Sequence, residues 1–409
     1  MDREKRNNDM RENKEYIEKF GNKCRSELLG NVMPFWLEYG WDRVHGGVYT
    51  CLDRDGALMD PTKSVWFQGR FAYVLSHAYN TVEQKAEWLE AAKSTVDFIE
   101  RRCFDSRGRM YFEVMADGTP LRMRRYLFSE CFAAIALAEY SLASGDKAAA
   151  ERAIELFRRI RDFRNNPEMT PAKYEPAMAT RGHSLTMILI NVANVLKRVS
   201  DDPVLDGQIN ESVYELMRYF VRPEFKCVLE TVGLNGEFID TIAGRTINPG
   251  HAIETSWFLM EVASFRGDGA LLEKALQILD WSWDWGWDSE CGGGIISFRD
   301  CKGFPPQCYE QDMKFWWPQC EAVIANLMAY RMTGAGRYFD RFRLAADWAW
   351  EHLKDPEYPE WYGYLHRDGT VAQPAKGNLF KGPFHLPRML MISEKLCREI
   401  QEKQACTSK

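Results

Sequence analysis

Histidine is scarce in this chain, with seven in 409 residues. Other shortages exclude whole classes of function. None of the eleven cysteines forms Cys-x-x-Cys, and Cys291, Cys301 and Cys308 have no histidine nearby at zinc spacing. The cysteine pattern therefore gives no metal centre and no dithiol redox site, and reduced thiols in a cytoplasmic protein are expected. No apolar run approaches the ~18 residues of a membrane span. The longest candidate, Leu185 to Val199, is interrupted by Thr186, Asn191, Asn194 and Lys197. The opening stretch Met1-Asp2-Arg3-Glu4-Lys5-Arg6-Asn7 lacks the apolar segment of a signal peptide. A net charge of −6, from 53 basic and 59 acidic residues, argues against a nucleic-acid partner. Gly-x-Ser-x-Gly, a Gly-Lys-Ser/Thr phosphate loop and a convincing Gly-x-Gly-x-x-Gly after a strand are all missing, and Gly292-Gly293-Gly294 reads as hairpin punctuation.

What the chain has in quantity is aromatic residues: 23 Phe, 17 Tyr and 14 Trp. Its length alone suggests two or three domains. An internal repeat gives a different answer. Six apolar, helix-like runs begin near residues 65, 126, 181, 250, 316 and 384, at gaps of about 55 to 70 residues. They are apolar nearly all round, as helices covered on both sides are. Charge-rich amphipathic helices lie between them, at 84–100, 147–161, 212–220, 271–285 and 340–353, with a further copy at 8–39. A third element recurs as a short hairpin closed by Asp55-Gly56, Asp117-Gly118, Asn235-Gly236, Lys302-Gly303 or Asp368-Gly369, where positive φ suits a tight turn. Six inner and six outer helices predict an all-α toroid, an (α/α)6 barrel with short β-hairpins in its loops. It would form one domain over residues 1–409. An open helical solenoid is the alternative, but tight periods and polar capping repeats are not evident.

In such a barrel the inner-helix starts converge on a central pocket. Those starts carry Arg70, Glu130, His183, His251 with Glu254, Glu321, and His385 with Arg388. Three of the seven histidines fall there. A lone histidine at such a place is as readily a satisfied core residue, but three of them among acids and arginines point to a site. His251 and Glu254, like His385 and Arg388, are three residues apart and so share a helix face. His251-x-x-Glu254 lacks the second histidine of a metal motif, which favours an orienting carboxylate. Trp66 and Trp317 offer ring faces beside polar groups, suited to sugar C–H patches, although Trp317 could equally pack in the core.

These motifs resemble the N-acylglucosamine 2-epimerase family over nearly the whole chain, from Phe35-Trp36 to Arg388. The blocks that carry the resemblance are His45-Gly46-Gly47, Trp66-Phe67-Gln68-Gly69-Arg70, Asn248-Pro249-Gly250-His251-Ala252-Ile253-Glu254, Lys314-Phe315-Trp316-Trp317-Pro318-Gln319-Cys320-Glu321 and Phe384-His385-Leu386-Pro387-Arg388. The family fold is an (α/α)6 barrel. Asn-Pro-Gly-His and Phe-His-Leu-Pro-Arg resemble its N-acylhexosamine branch rather than its cellobiose 2-epimerase branch. The resemblance implies that His251 and His385 are the catalytic pair and that Arg70 and Glu321 are essential pocket residues. It places His183 where some relatives carry a ring-opening histidine. Glu254, Trp66, Trp317 and Arg388 complete the expected substrate-binding set.

The activity so implied interconverts N-acetylglucosamine and N-acetylmannosamine. The sugar ring opens, one imidazole removes the C2 proton to give an enediolate, and another returns a proton to the opposite face. Arg70 would face the developing charge on O1. No cofactor is implied. A homodimer is, and a nucleotide effector stays open because some relatives respond to nucleotides. Three alternatives stand beside this reading: an aldose–ketose isomerase or 2-epimerase acting on mannose or another free sugar, an inverting glycoside hydrolase on the same barrel, and a non-catalytic partner protein of the renin-binding type.

Overall fold

The computed structural model describes residues 2–124, 126–171 and 179–407. Twelve long helices among them alternate between an outer and an inner ring. The outer helices are α1 (Asp2–Glu27), α3 (Ala86–Arg102), α5 (Lys147–Arg164), α7 (Pro203–Glu215), α9 (Gly269–Gly286) and α11 (Gly336–His352). The inner helices are α2 (Val65–Thr81), α4 (Phe128–Ser144), α6 (His183–Leu196), α8 (Pro249–Arg266), α10 (Trp316–Thr333) and α12 (His385–Thr407). Each inner helix packs on the next, α12 also touches α2, and so the ring closes as an (α/α)6 barrel. Each outer helix backs one inner helix, and α1 packs on α12.

Sequence sorts the two rings. Every residue of α4 from Ser129 to Ser141 is buried, since neighbours cover it on all sides. On α5 burial is confined to one stripe, Ala149, Ala153, Ile154, Leu156, Phe157 and Ile160. The inner-to-outer turns are equally local. Gly145 and Gly267 end α4 and α8 in left-handed geometry, and the next residues, Asp146 and Asp268, cap α5 and α9 with their carboxylates. The helix expected at 212–220 starts nine residues earlier, at Pro203. Asp202 caps it by accepting from Val204 N, and proline fits its first turn.

The hairpins do more than close loops. The two or three residues before an inner helix pair antiparallel with the hairpin that follows the next outer helix. Lys63–Ser64 pairs with Glu113–Val114, Thr180–Gly182 with Thr231–Gly233, Thr246–Ile247 with Arg299–Asp300, and Lys314–Phe315 with Tyr364–Leu365. One buried glutamine device occurs twice. Gln68 accepts from Val48 N and donates to Val48 O and Ser64 O. Gln319 accepts from Ile295 N and donates to Ile295 O and Phe315 O. The helix starts are thus tied to their hairpins at one end of the barrel, and the candidate residues lie there.

Candidate active site

At that end a cavity of about 420 Å³ is lined by Trp66, Arg70, His251, Glu254, Trp317 and His385, with Phe132, Met187 and Ile188 forming an apolar wall. Glu321, His183 and Arg388 are buried and stand behind this lining. Glu130 is not in the cavity. Its carboxylate accepts from Arg109 Nε at 2.7 Å and from Met110 N at 2.9 Å, and so anchors a hairpin instead. Glu130 does stand at an inner-helix start, but the first turn of α4 uses it in a structural ion pair with Arg109.

The Asn-Pro-Gly-His block is a helix start in the literal sense. Asn248 caps α8 by accepting from His251 N, and Pro249 occupies the first turn. Gly250 is required by a close approach, since a Cβ there would meet the Trp317 ring at 2.6 Å. The Trp317 ring consequently lies against the start of α8, its centroid 5.2 Å from that of His251 and 5.7 Å from that of His385.

Charge in the site is arranged around two carboxylates and two guanidiniums. Arg388 Nη2 donates to Glu254 Oε1 at 2.5 Å and to Glu321 Oε1 at 2.7 Å. The same Glu321 oxygen lies 2.8 Å from His385 Nδ1, and its other oxygen accepts from Trp257 Nε1 at 2.8 Å. A carboxylate only accepts, so His385 Nδ1 carries hydrogen toward Glu321 and Nε2 is the nitrogen left for the cavity. Arg70 sits on rings, 4.0 Å above Phe132 and 4.7 Å from Phe384, and its Nε has no partner among the described residues. Burial there lowers its guanidinium to about 9, against the pull of Glu254.

The two histidines are tuned in opposite directions. Burial, reinforced by Arg388 and Arg70, holds His385 well below the ordinary imidazole value. Burial also pulls His251 down, but Glu230 outweighs it by charge and hydrogen bond, aided by Glu254 and Glu321, and the net shift is upward. The Glu230 carboxylate lies 3.1 Å from His251 Nδ1. Glu230 is a site residue that the sequence reading missed. Its one signal was an acid ending the apolar strand run Cys227-Val228-Leu229.

Two trios have the donors and spacing to hold a cation: His183 with Glu230 and His251, and Glu254 with Glu321 and His385. In the second, Arg388 already bonds both carboxylates, and its charge opposes a metal ion there. A further cavity of about 500 Å³ is lined by Arg107, Arg109 and Arg124 but contains no histidine. No helix among the described residues is long and apolar enough to cross a membrane.

An (α/α)6 barrel whose inner helices bring two imidazoles to one indole in a polar-and-aromatic cavity has, as a class, the pocket of an enzyme acting on a small molecule. The N-acylglucosamine 2-epimerase family model matches residues 47–381. The N-acylglucosamine 2-epimerase of Bos taurus is 34% identical over 392 residues, covering 93% of this chain and 92% of that protein. That of Homo sapiens is 32% identical over 411 residues, covering 97% and 94%. Among solved structures, the cellobiose 2-epimerase of Spirochaeta thermophila superposes with a TM-score of 0.81 at 22% identity, over 94% of this chain and 98% of the other. The chain belongs to the N-acylglucosamine 2-epimerase family.

Proposed function

We propose that the chain is a sugar 2-epimerase that interconverts N-acetylglucosamine and N-acetylmannosamine in their open-chain forms. One observation carries the reading. His251 and His385 come from α8 and α12, the two neighbours of α10, and α10 supplies the indole that both rings approach. A planar intermediate resting on Trp317 has an imidazole within reach from each helix, which two groups on one helix could not provide.

Opening the sugar ring leaves an aldehyde at C1 and makes the C2 hydrogen acidic. His385, neutral at pH 7, takes that proton at Nε2, and the C–H electron pair moves through C1 onto O1. Because C2 carries nitrogen, the intermediate is an acylamino enolate; the enediolate of the sequence argument would require a hydroxyl at C2. Arg70, with an unpaired Nε and a ring-lined seat, faces the charge that develops on O1. His251, whose protonated form Glu230 favours, donates from Nε2 to the other face of C2, and the electron pair returns to restore the aldehyde. The reverse reaction exchanges the two roles. Glu254 lines the cavity and Arg388 neutralises it, while Glu321 fixes the His385 tautomer. The apolar wall of Phe132, Met187 and Ile188 suits an N-acyl methyl group.

A panel of free hexoses, N-acetylhexosamines and disaccharides, with products identified by NMR, tests the assignment. Conversion of N-acetylmannosamine to N-acetylglucosamine is expected. A ketose product from mannose, with N-acetylhexosamines untouched, would replace the reading with an isomerase.

A further inference from the structure

His183 is expected from its position to act on the sugar, yet its side chain is fully buried and lines no part of the cavity. Both of its ring nitrogens are engaged. Nδ1 lies 3.2 Å from Glu230 Oε1, and Nε2 lies 3.1 Å from Thr255 Oγ1. Thr255 donates its only hydroxyl hydrogen to His251 O, one helical turn back on α8, at 2.8 Å. Glu230 only accepts, so Nδ1 carries hydrogen toward it. His183 thus has no nitrogen free for substrate: one holds the Glu230 carboxylate and the other the Thr255 hydroxyl.

Glu230 in turn faces His251 Nδ1 with both oxygens, at 3.2 Å and 3.1 Å. A ring whose Nδ1–H points at a fixed carboxylate has its Nε2 directed away, toward the cavity that His251 lines. The other charged and titratable groups around His251 are Glu254 on its own helix, Glu321 on α10, and His385, Arg388 and Arg70 beyond. None of them has a hydrogen bond to its ring among the described residues.

We propose that Thr255, His183 and Glu230 form a positioning relay for His251. The hydroxyl orients the His183 ring, His183 clamps the carboxylate, and the carboxylate sets the orientation and proton affinity of the acid that inverts C2. The relay spans α6, α8 and the segment after Cys227–Val228, so it also ties the barrel wall to the catalytic ring. It rests on the epimerase reading for its purpose but not for its existence.

Two readouts test it on the full-length protein. In the wild type, nitrogen-15 NMR is expected to show hydrogen on His183 Nδ1; a bare Nδ1 on that ring overturns the relay. In Glu230→Gln the His251 titration, followed by NMR without substrate, falls by about one pH unit or more. The matching limb of the kcat/KM profile moves with it, while KM stays near wild type. His183→Leu removes the N–H that shares the Glu230 carboxylate, leaves that carboxylate to His251 alone, and moves both features upward. Variants that lose activity while the His251 titration and the pH limb stay at wild-type positions would show that the residues are merely structural. Because the NMR arms need no sugar, an inactive wild type would overturn the epimerase proposal and leave the relay standing.

Discussion

At the scale of single residues, the site separates two imidazoles by environment. His385 shares its surroundings with two guanidiniums, while His251 faces a carboxylate that His183 also touches. His251→Gln and His385→Gln are each expected to lower kcat by ~10²–10⁴, the usual worth of a positioned acid or base. Arg70→Lys keeps the charge but loses the planar seat against Phe132 and Phe384. Steady-state kinetics should show kcat falling by ~10²–10³ with KM changed far less, as befits a group whose partner charge appears only in the transition state. An equal rise in KM alone would place Arg70 in ground-state binding. The residues named from sequence were those at helix starts, where local order locates them. Glu230 was not legible, because it belongs to a short strand connection and reaches the histidines only through the pairing of Thr180–Gly182 with Thr231–Gly233. Glu130 failed for the converse reason: it occupies a helix start, and the nearby hairpin claims it.

At the scale of elements, the repeat was readable because the inner helices are apolar nearly all round, apart from the polar second half of α12, and the outer helices carry charge on one side. The start at Lys147, after Gly145-Asp146, held; after Gly267-Asp268 the helix starts two residues before the expected 271, and after the Asp202 cap nine before the expected 212. The pairing of four strands before inner helices with the following hairpins was not readable, since two-residue strands leave no periodicity to detect. Helix packing places demands on particular residues. At Gly69 an added Cβ would lie 2.5 Å from the backbone of Phe132 on α4. Gly69→Ala is expected to push α2 off α4 and cost ~1–3 kcal/mol, seen as a lower melting temperature. Gln319→Leu leaves Ile295 N and O without their partner, and each orphaned group costs ~1–3 kcal/mol. Its melting temperature should fall with kcat/KM reduced, because the same glutamine ties down the start of the helix that carries Trp317. A melting curve identical to wild type would contradict the tethering role.

At the scale of the whole molecule, a closed ring of six helix pairs explains how so long a chain can surround one pocket. It also places charge at both ends of the inner helices. Glu261 lies ten residues beyond His251 on α8, or ~15 Å along the axis. Burial there raises its carboxyl to about 7, with Lys395, Arg198 and Arg388 opposing. A folded-state pKa above the unfolded value means the folded protein binds more protons between about 4.5 and 7. This group's contribution to stability is therefore full below pH 4.5 and is lost as pH rises through 7, at up to ~1.4 kcal/mol per pH unit. Glu261→Gln should raise the melting temperature at pH 8 more than at pH 5; an equal change at both would show that the group does not titrate in this window.

The central claim is that two histidines exchange protons with C2 from opposite faces. Proton NMR of N-acetylmannosamine with enzyme in deuterium oxide tests it most directly. The account predicts that N-acetylglucosamine appears with deuterium at C2. It further predicts that His251→Gln and His385→Gln, though strongly slowed in epimerisation, each still exchange the C2 hydrogen of one epimer, and not the same one. Epimerisation that keeps the original hydrogen at C2 would contradict it.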